Sequence, residues 1–244
     1  MNLYNVRAVL LKNNNNFKLY YSTYFYCNCD KPLFEKIQYS ENLLKLFTLL
    51  TITDTSYSSA KFKQFLIELN KQIAYDKISV DIISDIFKSH IEKNFNKEDI
   101  EKALKNEPSN FGIVFLNDYL YAKEKNMPIN LLLDSIQIEH IMPASGKNLT
   151  AIREDAGMDE EEFKQNVDKI GNKILLEQNI NGSISNDWFR VKKQTTVNEK
   201  RGYRDSIFPL AQALISYPSN TWNKNDIKEA TRKASERIIK FIFE

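Results

Sequence analysis

Residues 138–143, Ile-Glu-His-Ile-Met-Pro, set a carboxylate and an imidazole side by side just ahead of a proline. Such groups exchange protons near neutral pH, where an imidazole changes charge. Downstream come Ile170-Gly171-Asn172-Lys173-Ile174-Leu175-Leu176, then Asn179, Asn181, Asn186 and Lys192. The chain has only two histidines and two cysteines. Two cysteines cannot make a four-Cys zinc site, and a Cys2His2 site would need all four residues to converge. A disulfide scaffold is excluded at 244 residues. If histidine does chemistry here, one of two residues carries it. His90 reads as structural, in an amphipathic helix with Lys88 and Lys93 nearby. Cys27-Asn28-Cys29 lacks further cysteine or nearby histidine, so it is not read as a metal site.

The elements that must position Glu139 and His140 are legible from pattern. Ser135 to Met142 reads as a short strand ended by Pro143, and a polar loop follows. Asp159 to Ile170 reads as a helix, with Asp159 as N-cap, Glu162 three residues on, and Gly171 at the C-cap. Lys173 to Leu176 is a second strand, and residues 178 to about 196 are helical in character. Adjacent strand residues point to opposite faces, but twist at a strand end can bring both heads toward one cavity. Asn225 to Phe243 is an amphipathic helix with Ile227, Thr231, Ala234, Ile238 and Phe241 on one face.

Upstream, to about Met127, helices dominate. Apolar residues cluster at 43–50 and recur at helical spacing through 62–69 and 82–91; Phe111 to Lys125 is a further helix. Asn96 reads as an N-cap, with Glu98 and Asp99 in the first turn. Residues 17–29, rich in Tyr and Phe, suit strand or helix. Gly112 stands alone in the first 145 residues, while the other five glycines fall between 146 and 202, so the middle is turn-rich. The expected fold class is α+β, mostly helical. No apolar run reaches the roughly 18 residues of a membrane span, and no secretion signal is visible at the N-terminus. The expected setting is therefore the cytoplasm.

These runs, in this order, resemble the HNH, or His-Me finger, nuclease motif. More narrowly they resemble the C-terminal nuclease domain of GmrSD-type restriction endonucleases. The matching residues are Glu139-His140-Ile141-Met142-Pro143, Gly171-Asn172-Lys173-Ile174-Leu175-Leu176, Asn181, and Ser185-Asn186-Asp187-Trp188-Phe189-Arg190-Val191-Lys192, with Trp222, Ile227 and Arg232 after them. The resemblance covers about residues 110–244, leaving residues 1–109 as a helical connecting region. It implies a ββα-metal finger embedded in a helical domain, and metal-dependent endonuclease activity on DNA in restriction or anti-phage defence. It implies His140 as general base and Asn181 as metal ligand, with Asn179, two residues earlier, as the alternative ligand. Glu139 would be the second ligand or would order a metal-bound water. Asn172 would be a catalytic support residue that holds the loop. Oxygen ligands favour Mg²⁺ or Mn²⁺. Lys173 departs from the apolar residue often found at its place. Relatives usually carry a nucleotide-using module of the ParB-like class; this chain has no Gly-x-x-x-x-Gly-Lys loop and no Asp-Gly-Gln-Gln-Arg run, so that module is expected either to have been removed or to reside on a partner.

Charge adds a direction. Residues 186–204 hold six basic and two acidic side chains, so Asn186, Arg190, Lys192 and Lys193 are expected to contact the phosphate backbone. Residues 153–168 hold seven acidic and two basic ones and are expected to face away from DNA. The net charge of only +2 keeps two alternatives open: a helical interaction or nucleic-acid-binding module with a degenerate HNH site, and an RNA-directed nuclease.

Overall fold

A computed structural model describes residues 3–13, 17–52, 59–131, 135–193 and 201–244. By packing it divides into two units: residues 1–103 with 239–244, and residues 104–238. That division puts residues 104–109 with the second unit and the last six residues with the first, unlike a cut at 109/110. The fold is mostly helical α+β, with one two-stranded antiparallel sheet among the described residues. No described helix is long and apolar enough to cross a membrane.

The first unit holds α1 (Leu3–Asn13), α2 (Phe17–Cys27), α3 (Leu33–Ile52), α4 (Ser59–Lys71) and α5 (Val80–Asn94). The aromatic segment at 17–29 is therefore helix, not strand. Its rings explain why: Tyr24 stacks on Tyr39 of α3 at 4.0 Å, and the Tyr39 hydroxyl donates to the Tyr20 carbonyl at 3.0 Å. Leu43, Leu44, Leu46, Phe47 and Leu49 of α3 are fully buried, as their clustering in sequence predicts. The His90 ring stacks on Phe65 at 3.6 Å, and burial lowers its pKa, in keeping with a structural role.

Helix α6 (Lys97–Asn106) lies mostly in the first unit and ends in the second, where the central helix is α7 (Phe111–Lys125). It starts at Asn110, whose side chain accepts from the Ile113 N–H, and ends at Asn126 in the left-handed conformation. Almost all of α7 from Gly112 to Leu120 is buried. Around it sit β1 (Ile136–His140), α8 (Leu149–Asp155), α9 (Glu160–Asn166), β2 (Lys173–Glu177), α10 (Gln178–Ile184), α11 (Phe189–Lys193), α12 (Pro209–Ile215) and α13 (Lys224–Phe243). Strands β1 and β2 pair antiparallel, with His140 opposite Lys173 and Glu139 opposite Ile174. Helix α10 packs on both strands, completing a ββα unit.

Asp118 of α7 ties this unit together. Its fully buried carboxylate accepts from the Leu175 N–H of β2 at 3.1 Å and the Leu210 N–H of α12 at 3.4 Å. Burial pushes its pKa up to about 7. The folded state thus holds a proton there that the unfolded chain has lost, and the contribution of Asp118 to stability declines as pH rises from about 4 to 7. Asp118→Ala leaves two buried donors unpaired, and we expect a loss of about 2 kcal/mol or more in urea titrations. The loss should be larger at pH 5 than at pH 8.

Three boundaries differ from the sequence pattern. Strand β1 ends at His140 because the Met142 N–H donates instead to the Asn172 side chain at 2.8 Å. The helix over 178–196 is two helices, broken at Ser185, whose φ is 47°; residues 194–196 lie outside the described ones. Gly171 does not cap a helix. Helix α9 ends at Asn166, and Gly171 lies buried in a 3-10 turn, Ile170–Asn172, against the backbone of α13. The Asp159–Glu162 capping box at the start of α9 is present.

Candidate active site

The hairpin end carries two polar clusters, one on each face of β1. Gln137 and Glu139 alternate onto one face and His140 onto the other. Their partners show it.

On the His140 face, Nε2 lies 3.3 Å from Asp168 Oδ1. The ammonium of Lys173, across the sheet from His140, lies 3.0 Å from the same oxygen and donates to the Ser109 carbonyl at 3.1 Å. At position 173 the resemblance leads to the expectation of an apolar residue, and the chain has Lys173. Its neighbourhood gives the reason: it neutralises the carboxylate beside the imidazole. Lys173 holds the Asp168 pKa below the ordinary range, so Asp168 is ionised near neutral pH. Burial lowers the His140 pKa, so the ring is neutral there. An ionised carboxylate only accepts hydrogen bonds, so the neutral ring donates from Nε2 and keeps its lone pair on Nδ1.

On the other face, Glu139 is 5% exposed and Lys192 is fully buried. The Lys192 ammonium donates to Glu139 Oε1, to the His140 carbonyl at 2.8 Å and to the Ile141 carbonyl at 3.3 Å. The Tyr203 hydroxyl donates to Glu139 Oε1 at 3.4 Å. Burial raises the Glu139 pKa and lowers that of Lys192, and their attraction opposes both shifts. Two residues back, Gln137 Oε1 accepts from the Asn181 side chain of α10 at 2.8 Å. Asn179 is exposed and turned to its own backbone, its side chain accepting from the Ile180 N–H. Asn181 is thus the α10 asparagine that reaches the hairpin.

Asn172 fastens the end of the hairpin. Its side chain accepts from the Met142 N–H at 2.8 Å and donates to the Met142 carbonyl at 2.9 Å and the Val167 carbonyl at 2.8 Å. Its own carbonyl accepts from the Ile141 N–H at 2.9 Å. All of this is buried.

The described contacts therefore do not bring Glu139, His140 and Asn181 into one cavity. Glu139 and Asn181 share a face, and His140 joins Glu139 through Lys192. Among the described residues no three His, Cys, Asp or Glu side chains cluster as a metal-binding group.

The basic segment needs correction. Lys192 and Lys193 do not face solvent as phosphate contacts. Lys192 is buried on Glu139, and Lys193, 6% exposed, donates to the Tyr217 and Ser219 carbonyls at 2.8 and 2.6 Å. The short helix α11 turns inward because Phe189 is buried in an aromatic cluster with Tyr217 and Trp222. Arg190 is exposed, its guanidinium 4.6 Å from the centre of the Trp188 ring. Asn186 is exposed and donates to the Ser145 hydroxyl at 3.4 Å, packing on the loop after Pro143.

Sequence reading missed Asp168, Gln137 and Tyr203. Asp168 ends the acidic run expected to face away from DNA, yet it meets His140. Its signal was in plain view, a carboxylate five residues before the Lys173 that faces His140. Tyr203 and Gln137 carried no signal beyond residue type.

No individual curated protein matches the chain. The model of one family does, that of GmrSD restriction endonucleases, C-terminal domain, over residues 85–236. That match takes in both strands, α10, α11 and every residue of the two polar clusters. With the family model covering more than half of its length, and the hairpin inside the match, the chain belongs to the family of GmrSD restriction endonuclease C-terminal domains.

Proposed function

We propose that this restriction-endonuclease domain hydrolyses DNA phosphodiester bonds, with His140 as general base. The observation that supports this most is the His140–Asp168 contact at the hairpin end, with Lys173 keeping Asp168 ionised. It leaves a neutral ring whose Nδ1 can take the proton of an attacking water near neutral pH. Asn172 supports the base by holding the chain that follows it.

We place Mg²⁺ or Mn²⁺ in the same proposal. The donor chemistry fits a hard cation: a carboxylate, Glu139, and an amide carbonyl, Asn181, on one face of the hairpin. Among the described residues the Asn181 side-chain oxygen accepts no hydrogen bond. Glu139 and Asn181 would hold the ion with Lys192 sharing the carboxylate, on the face of β1 opposite the His140 ring, so the reading requires these groups to come together around the bound phosphate. When bound, such an ion supplies positive charge for the phosphate and the leaving oxygen. Exposed Arg190 and Asn186 are the proposed backbone contacts that remain. A ParB-like nucleotide-using partner module, a role in anti-phage defence and a cytoplasmic setting complete the reading.

The test is plasmid nicking with Mg²⁺, with Mn²⁺ and with EDTA, run beside His140→Ala and an RNA substrate. Nicking with either metal, lost in EDTA and in the variant, is the expected result. A second reading, nucleic-acid binding without hydrolysis, draws on Lys192 already neutralising Glu139. DNA binding with equal inertness of wild type and variant would establish it instead.

A further inference from the structure

We propose that Lys192 is a positioning residue that holds the strand end carrying His140. This rests on the reading of His140 as the base. An ammonium has three protons to donate, and here each meets an oxygen: Glu139 Oε1, the His140 carbonyl and the Ile141 carbonyl. Two of the three acceptors are main-chain atoms of the proposed base and its neighbour. Strand β1 ends at His140, so its ladder with β2 does not hold the residues that follow.

Something else must fix the backbone there, and two side chains do. Asn172 takes the Ile141 N–H on its main-chain carbonyl and holds both the N–H and the carbonyl of Met142 with its side chain. Lys192 holds the carbonyls of His140 and Ile141. Glu139 holds the ammonium in place, and the Tyr203 hydroxyl steadies the carboxylate. A buried cation is tolerated only with such partners. The short helix α11 delivers it: Phe189, one turn earlier, is anchored in the core, and Lys193 is tied to the Tyr217 and Ser219 carbonyls. A shift of about 1 Å at a catalytic group costs roughly 100-fold in rate, so the clamp bears directly on turnover.

The experiment is steady-state nicking by Lys192→Met at several salt concentrations, with circular dichroism to confirm folding. Positioning predicts kcat lower by about 10- to 100-fold, with KM for plasmid and its salt dependence unchanged. A surface phosphate contact would raise KM and flatten the salt dependence at unchanged kcat, and that result overturns the proposal. So does a folded variant with wild-type kcat. If Lys192→Met does not fold, Lys192→Arg carries the test. It keeps the charge, but its planar head cannot repeat the three contacts. Reduced kcat at constant KM supports the clamp, and wild-type kcat overturns it. If wild type and His140→Ala nick equally, the reading of the base has failed. Amide hydrogen exchange at Ile141 and Met142 then decides on Lys192 by itself. Faster exchange in Lys192→Met supports the clamp, and unchanged exchange overturns it.

Discussion

His140→Ala is expected to lower nicking by about 100- to 10,000-fold, the range that a positioned general base contributes. The loss has no substitute within the chain. The one other histidine, His90, lies in the first unit, stacked on Phe65. The fold should survive. The His140 side chain is about a quarter exposed, and the bond it gives up is one long contact to Asp168, which keeps Lys173. We expect the melting transition to move by no more than about 1 kcal/mol in stability, so lost activity cannot be assigned to unfolding.

The pH profile supplies an independent check. Burial lowers the His140 pKa, so the midpoint at which the basic form appears lies below the ordinary imidazole value. Nicking should rise through that lower value and stay flat beyond it. Asp168→Asn should move this limb and slow the reaction less than His140→Ala does. A variant His140→Ala that nicks within about threefold of wild type would remove the base from the mechanism.

Gly171→Ala is expected to cost about 4 kcal/mol or more, at the extreme of single substitutions. A β-carbon at position 171 would stand 2.2 Å from the Ile227 carbonyl oxygen, 2.5 Å from the Thr231 nitrogen and 2.6 Å from the Thr231 hydroxyl. Two of these are backbone atoms inside α13, which cannot rotate away. The helix would have to retreat, and with it the hydrogen bond from the Gly171 N–H to the Thr231 hydroxyl at 3.2 Å. Ile227, Thr231, Ala234 and Ile238 would leave their buried sites together. The neighbouring Asn172 would shift as well, so any folded fraction should nick poorly. Thermal denaturation is the measurement. A change under about 1 kcal/mol would mean that α13 gives way to the added β-carbon at little cost. Gly182→Ala is the contrast: nothing lies within 4 Å of its β-carbon, and on α10 it should be neutral or stabilising by up to about 1 kcal/mol.

What the sequence determined by itself was local. The capping box from Asp159 to Glu162, the cap at Asn96 of α6, and the apolar face of α13 each depend on residues a few positions apart. Such patterns carry their own geometry, because hydrogen bonds and side-chain spacing within a turn are set by the helix itself. The pair Glu139–His140 at a strand end, with Asn172 on the facing strand's approach, was legible for the same reason.

Tertiary structure alone decided where charges point. Lys192 reads in sequence as one more cation of a basic run, and its partner Glu139 is 53 residues away. Asp168 reads as part of a solvated acidic run, yet it faces His140, 28 residues before it. A charged residue in a sequence has a sign but no direction. Direction comes from which neighbours are anchored in the core, as Phe189 turns α11 inward. Gly171 shows the same limit, since turn chemistry explains a glycine locally and only α13, some 60 residues on, requires that one. Local pattern thus named the hairpin and its histidine, and the long-range packing decided which groups serve it.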